Sequence, residues 1–189
     1  MDTIDAKRCA LVLVDYQARL LPSISGGRDA VRQALLLAQA ARLLGIRVVG
    51  TEQNPQGLGP NLDAIRQLCD VCLTKSHFDA CADGLVQALD DLPEPPAQLV
   101  VAGCEAHVCL LQTALGLLRA GRRVWVVAAA CGSRRSSDHA LAMQRLRQAG
   151  ATLVSSEMVL FEWLAHCRHP QFKPVLQLVK DMPLHPPPV

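Results

Sequence analysis

Aromatic residues are scarce in this 189-residue sequence, where Phe, Trp and Tyr together make up 3% of the chain. Half of the residues are hydrophobic, so the core has to be built mainly from Leu, Val and Ala. This composition is typical of a globular protein, and the length predicts a single domain. We assign residues 1–182 to that domain and residues 183–189 to a Pro-rich C-terminal tail.

The sequence also lacks an excess of charge and a long apolar run. Lys and Arg number 19 against 17 Asp and Glu, which gives a formal net charge of +2. That charge is too small to favour a nucleic acid or a membrane surface as a partner. No apolar run approaches the roughly 18 residues that span a bilayer, and the first residues lack the apolar segment of a signal peptide. We therefore expect a cytoplasmic protein that binds a small molecule, with no nucleic acid and no membrane.

Eight cysteines lie mostly inside apolar segments, a distribution that favours a reducing compartment. Cys69 and Cys72 form the one C-x-x-C pair. No second pair or His pair completes a zinc set, and no thioredoxin-type context surrounds them. We interpret both as core cysteines.

Short β-rich runs alternate with helical patterns along the chain. We predict strands at 10–14, 46–51, 71–74, 98–102, 123–128 and 151–155, and helices at 29–44, 107–120 and 136–149. The first run is apolar throughout, as expected of a strand that is covered on both faces of a parallel sheet. The repeating unit predicts right-handed crossovers and an α/β fold, namely a single Rossmann-like three-layer α/β/α domain with a six-stranded parallel sheet.

Several common catalytic motifs are missing. There is no G-x-G-x-x-G or G-x-x-x-x-G-K-[ST] segment, so a dinucleotide or P-loop phosphate has no cradle. There is no G-x-S-x-G segment, so a serine nucleophile elbow is excluded. Asp15 has no second Asp two residues later, which argues against a magnesium-dependent phosphotransfer site.

Three chemically active side chains follow predicted strands. Asp15 comes directly after the first strand, Lys75 directly after the third, and Cys109 shortly after the fourth. Ligands of open α/β sheets bind at the carboxyl ends of the strands, so a base, a cation and a thiol would share one rim. A thiol beside an ammonium group and near a helix N-terminus is expected to have a lowered pKa. Taken singly, each residue is more often a turn, surface or core residue, and their coincidence favours a nucleophilic cysteine.

Three segments carry the motifs of a known family. They read LVDYQ at 13–17, TKSHF at 74–78 and GCEAHVCLLQTA at 103–114. Their residues, order and strand positions resemble those of the isochorismatase-like cysteine hydrolases. Further segments, TEQ at 51–53, GLG at 57–59, GSR at 132–134 and HPQFK at 169–173, are similar to the isochorismatase-domain-containing subgroup.

The resemblance implies that Cys109 is the nucleophile, Asp15 the general base and acid, and Lys75 the residue that positions both. It also implies a non-proline cis peptide between Cys104 and Glu105. The backbone N–H groups of Glu105 and Cys109 would then form an oxyanion hole.

Four further residues would surround the rim as substrate-binding residues: Gln17, Glu52, Phe78 and His107. Helix capping is the alternative for His107, and core packing is the alternative for Phe78. The nicotinamidase branch of the family holds a metal with an Asp-x-His pair and another His after the second strand. Residues 52–55 read EQNP here, so we expect no metal and no cofactor.

We therefore predict a hydrolase that cleaves a small amide or carbamoyl-like C–N bond through a thioester on Cys109. One alternative is a catalytically quiet ligand-binding or scaffold module of the same fold. Another is an isochorismate-type vinyl-ether hydrolase, for which Arg19 and Arg134 are the nearby basic residues.

Assembly is predicted from two apolar segments near the C-terminus. Segments 158–164 and 169–180 carry more apolar side chains than one small core has room to cover, which favours a homo-oligomer, a dimer or larger. The alternative is that both segments pack on the sheet within one subunit.

Overall fold

Six strands form the central sheet of the computed structural model, which describes residues 3–182. The strands are β1 (Cys9–Val14), β2 (Arg47–Gln53), β3 (Val71–Lys75), β4 (Gln98–Gly103), β5 (Arg123–Val127) and β6 (Thr152–Val154). They run in the order β3-β2-β1-β4-β5-β6, and every neighbouring pair is parallel. The predicted six-stranded parallel sheet is confirmed, and each strand limit lies within two residues of its predicted position.

Helices connect and follow the strands. They are α1 (Gly27–Leu44), α2 (Pro55–Leu58), α3 (Asp63–Arg66), α4 (Leu85–Asp90), α5 (Leu111–Arg119), α6 (Ser136–Gln148), α7 (Ser156–Leu164) and α8 (Phe172–Lys180). The helix predicted over 107–120 does not begin as a regular α-helix. A π-helical turn, Ala106–Leu110, precedes α5, and such turns are frequent at functional sites.

The first apolar run of the sequence forms β1, a strand in the hydrophobic core. All six residues of β1 are buried, and Leu11, Val12 and Leu13 are inaccessible to solvent. On one face α1 packs against α7 and α8, while α5 packs against α6 on the other face, as right-handed crossovers require. Each fully buried Val or Leu side chain stabilises such a core by roughly 1.5–3 kcal/mol.

The order of the strands reverses direction between β1 and β4. The chain moves outward from β1 to β2 and β3, and then outward the other way from β4 to β5 and β6. Gly103 ends β4 at a close approach to β1, where an added Cβ would lie 2.4 Å from the Val14 carbonyl oxygen. The carboxyl ends of these strands therefore frame the crevice in which α/β proteins bind ligands.

Within residues 3–182, none of the helices combines the length and the apolar character needed to cross a membrane. The Pro-rich segment 183–189, which we assigned as a tail, lies outside the described residues.

Candidate active site

Asp15 occupies the turn directly after β1, with a left-handed backbone (φ 55°) that Asp tolerates better than most residues. Its side chain is fully buried. One carboxylate oxygen accepts a hydrogen bond from Thr51 Oγ1 at 2.7 Å, and the other lies 2.7 Å from Lys75 Nζ. Both oxygens of the carboxylate are therefore held.

Lys75 ends β3 and points its ammonium group at three oxygen acceptors. Besides Asp15, it donates to Gln53 Oε1 at 2.6 Å and contacts the His77 carbonyl oxygen at 3.4 Å. The contact with Asp15 is an ion pair without hydrogen-bond geometry, and the other two are hydrogen bonds. The side chains of Lys75 and Asp15 are both 0% exposed, which makes this a buried ion pair.

Cys109 lies in the π-helical turn, and its Sγ lies 3.8 Å from Gln53 Oε1. The thiol and the Lys75 ammonium thus share one amide oxygen. Burial and the negative charge of Asp15 raise the pKa of the Cys109 thiol to about 12, and the charge of Lys75 lowers it less. The lowered thiol pKa that we predicted is wrong, because a thiolate would add a second buried anion beside one cation.

The three residues that follow separate strands in the sequence thus lie in one buried cluster. Gln53 and Thr51 complete its contacts, and sequence reasoning missed both. The available signal was the alternation along β2, which places these two polar side chains on one face near the carboxyl end. The prediction that β2 ends at residue 51 left Gln53 outside the strand.

Gln17 is fully buried, and its side-chain amide holds backbone groups. Its Oε1 accepts from the Gln53 N–H at 2.9 Å, and its Nε2 donates to the carbonyl oxygens of Gln53 at 3.0 Å and Gly59 at 2.5 Å. Gln17 therefore fixes the end of β2 and the loop that faces it. These backbone contacts lie beside the cluster of Asp15, Lys75 and Cys109 and are not part of it.

Glu52 is not brought to the cluster. Its Oε1 accepts from the Asn61 N–H at 3.0 Å and lies 3.4 Å from Arg66 Nε. Successive side chains of a strand point to opposite faces, so Glu52 faces away from its neighbours Thr51 and Gln53. Glu52 therefore does not reach the cluster, and its role in substrate binding stays a prediction.

Phe78 and His107 lie in the segments that follow β3 and β4. Phe78 is 50% exposed, so the alternative of core packing does not apply to it. His107 is partly buried, and its Nδ1 lies 3.0 Å from Ser133 Oγ. That contact ties the π-helical turn to the loop after β5.

The peptide bond between Cys104 and Glu105 is cis. The Glu105 carboxylate, which is buried, pairs with the Arg134 guanidinium through two hydrogen bonds of 2.6 and 3.2 Å. The next N–H group, that of Ala106, donates to the Gly132 carbonyl oxygen at 2.6 Å. The chain around Glu105 is therefore held from both its side chain and its backbone.

A metal centre would need several ligands in one place. Across residues 3–182, no three His, Cys, Asp or Glu side chains gather closely enough to hold an ion. The chemistry available to the cluster is that of a thiol, a carboxylate and an ammonium group.

Comparisons with known proteins identify the family and the fold. Residues 9–158 match the sequence model of the isochorismatase domain. Isochorismatase domain-containing protein 2 of Xenopus laevis is 36% identical over 171 residues, which cover 90% of this chain and 83% of that protein. A solved structure named MAR1 ribonuclease from Caenorhabditis elegans is 30% identical, with a TM-score of 0.88 over 100% of both chains.

The same fold occurs in the YcaC gene product of Escherichia coli, described as an octameric hydrolase of unknown specificity. Its TM-score is 0.82 at 22% identity, and the match covers 95% of this chain and 97% of that one. The family match spans most of the chain, and the relatives align over most of their own length. The chain therefore belongs to the isochorismatase domain family.

Proposed function

We propose that this protein is a cysteine hydrolase that cleaves a small amide or carbamoyl-like C–N bond through a thioester on Cys109. The observation that carries the proposal is the buried Asp15–Lys75 ion pair beside the Cys109 thiol. Burying an ion pair removes both charges from water, and the free energy that this costs can exceed the attraction between them. The pair is therefore little evidence of a stabilising role, and its position beside a thiol favours a role in chemistry.

The first half of the reaction forms the thioester. The resting thiol is neutral, so Asp15 takes its proton as the sulfur bonds to the substrate carbonyl carbon. The carbonyl oxygen takes the electron pair, and the backbone N–H groups of Glu105 and Cys109 are the donors proposed to stabilise it. Asp15 then returns the proton to the leaving nitrogen, the C–N bond breaks, and ammonia or an amine departs.

The second half releases the product. Asp15 takes a proton from a water molecule whose oxygen adds to the thioester carbon, and the C–S bond then breaks. The acid product leaves, and the proton returns to the sulfur. Lys75 keeps the Asp15 carboxylate in place through both halves and balances its charge. These steps use no metal and no cofactor.

Burial limits the size of the acyl group. Cys109 is 6% exposed, and its two partners are inaccessible, so only a small substrate reaches the sulfur without rearrangement. Phe78 and His107 lie on the segments beside the cluster and are the side chains proposed to contact that substrate. The small net charge favours this partner over a polynucleotide, although the C. elegans relative is named a ribonuclease. Eight free cysteines favour a cytoplasmic location.

The experiment that tests the proposal is hydrolysis of a panel of small primary amides and carbamoyl compounds, with ammonia as the readout. Isochorismate forms a separate arm, with pyruvate release as its readout. We expect ammonia from at least one amide. Pyruvate without ammonia would favour the vinyl-ether hydrolase. No product in any arm, together with no acyl-enzyme from 4-nitrophenyl acetate, would favour the quiet binding module.

We also propose that the chain assembles into a homo-oligomer. Much of segment 158–164 packs within the subunit, but Met158 and Phe161 on α7 stay 49% and 41% exposed. We expect light scattering at micromolar concentration to give a multiple of 20.4 kDa, and Phe161→Glu to reduce it. Leu141→Glu, on the exposed surface of α6, is the matched control. A mass of 20.4 kDa for the unmodified chain would contradict the proposal.

A further inference from the structure

A second pair of thiols lies beside β2, on the face opposite the Cys109 cluster. Gly50 is two residues from Glu52 and pairs with Cys72 in the sheet register. A Cβ on Gly50 would lie 3.0 Å from Cys69 Sγ and 3.1 Å from Cys72 Sγ. The two sulfurs therefore fill the space that a side chain at residue 50 would occupy. Both cysteines are reduced and only partly buried. Cys69 packs against the hydrophobic core, so the interpretation as a core cysteine is corrected for Cys72.

The surroundings distinguish the two sulfurs. The Arg66 guanidinium lies beside Cys72, and the Cys69 Sγ donates its hydrogen bond to the Ile65 carbonyl oxygen. The neighbouring Cys69 thiol, helped by the charge of Arg66, lowers the pKa of Cys72 against burial and the charge of Glu52. The Cys72 sulfur and burial raise the pKa of Cys69. The cation beside Cys72 favours its thiolate, so Cys72 is the better nucleophile of the two sulfurs.

Access favours Cys72 as well. Its side chain borders a shallow surface cavity together with Asp63, Arg66 and Gln67. A small molecule that enters there meets the sulfur and the guanidinium together. Cys69 lies behind it, 3.4 Å from the Ile65 carbonyl oxygen.

We infer that Cys69 and Cys72 form a redox-active dithiol, in which Cys72 attacks a hydroperoxide and Cys69 resolves the product. The Cys72 sulfur bonds to the terminal hydroxyl oxygen of the hydroperoxide, and the O–O bond breaks. The departing alkoxide takes a proton from water and leaves as an alcohol, or as water when hydrogen peroxide is the oxidant. Cys72 is then a sulfenic acid.

Closure of the pair completes the reaction. Cys69 loses its proton and attacks the Cys72 sulfur, the S–O bond breaks, and the hydroxide leaves as water with that proton. The hydroperoxide has been reduced by two electrons, and the dithiol has been oxidised to a disulfide. A small dithiol restores both thiols by exchange. This inference does not rest on the proposed hydrolysis, because Cys109 lies on the other face of β2 and β3.

The experiment uses the full reduced chain. It is exposed to limiting hydrogen peroxide at neutral pH, blocked with N-ethylmaleimide and digested with trypsin for mass spectrometry. Both cysteines lie on the tryptic peptide 67–75. We expect this peptide to lose two hydrogens and escape blocking before Cys81 is modified, with Cys81 located by fragmentation within peptide 76–119, which also carries Cys104 and Cys109. Cys81 is the internal comparison, since burial raises the pKa of this half-buried thiol to about 12.

Variants assign the roles of the two sulfurs. Cys69→Ser should stop at a sulfenic acid on Cys72 that dimedone traps, and Cys72→Ser should leave Cys69 unoxidised at the same dose. Arg66→Met should slow oxidation of Cys72 several-fold at neutral pH. Cys81→Ser is the matched control and should change nothing. Oxidation of Cys72 no faster than that of Cys81, or no dimedone adduct in folded Cys69→Ser, would overturn the inference.

Discussion

Cys109→Ala should abolish acyl transfer and leave the fold intact. Loss of a nucleophile that acts with its base costs at least about 10⁴-fold in kcat in comparable enzymes. The Cys109 side chain is small, so its truncation should lower the free energy of unfolding by no more than about 1 kcal/mol. The readouts are ammonia release from the active amide and the acetyl adduct that 4-nitrophenyl acetate leaves on the peptide carrying Cys109.

Two comparisons make this result specific. Cys81→Ala removes a half-buried thiol that contacts Thr113 rather than Asp15, and it should leave both readouts unchanged. Hydrolysis of a vinyl ether proceeds by protonation of its double bond and attack of water, so it needs no nucleophilic cysteine. Pyruvate release that survives Cys109→Ala would therefore support the vinyl-ether alternative, and amide turnover that survives would contradict the thioester.

Periodicity along the chain was enough to predict the sheet. A fully apolar run at β1 and repeating strand–helix units leave few arrangements other than a parallel sheet with covered faces. The π-helical turn could not be predicted in this way. The apolar spacing of residues 106–119 is that of one continuous helix. The π-helical turn at its start occurs where Glu105 and Ala106 contact the loop after β5, and such tertiary contacts are not visible in the spacing.

The position of the cluster could be predicted, but its electrostatics could not. The carboxyl ends of parallel strands meet at one rim, so Asp15, Lys75 and Cys109 were expected to lie near one another. The pKa of a thiol depends on its burial and on the charges around it. Neither can be derived from the spacing of residues in the sequence. The sequence shows a cation near Cys109 and does not show that Asp15 already neutralises it.

The same limit applies to the second thiol pair. A single C-x-x-C without other ligands is most often structural, and the sequence offers no reason to connect it with Gly50 or Arg66. The parallel register of β2 with β3 places Cys72 opposite Gly50, and α3 places Arg66 beside it. Chemistry at Cys72 follows from these tertiary contacts.

Lys75→Met should destabilise the protein strongly, because it leaves the Asp15 carboxylate buried without its cation. Breaking a buried ion pair by removing one partner costs about 3–5 kcal/mol. The double variant Asp15→Asn/Lys75→Met removes both charges and should recover most of that loss, with Thr51 and Gln53 still available as hydrogen-bond partners. Urea denaturation of both single variants and the double variant closes the thermodynamic cycle.

The double variant also separates stability from chemistry. It should fold yet form no acetyl adduct on Cys109, since no carboxylate remains to accept the thiol proton. Lys75→Arg is the control for charge alone, because guanidinium keeps the cation but not the compact three-donor geometry that meets Asp15, Gln53 and His77. An unchanged urea midpoint in Lys75→Met would contradict the buried ion pair. Full acylation of the double variant would contradict Asp15 as the base, and the ion pair would then be structural.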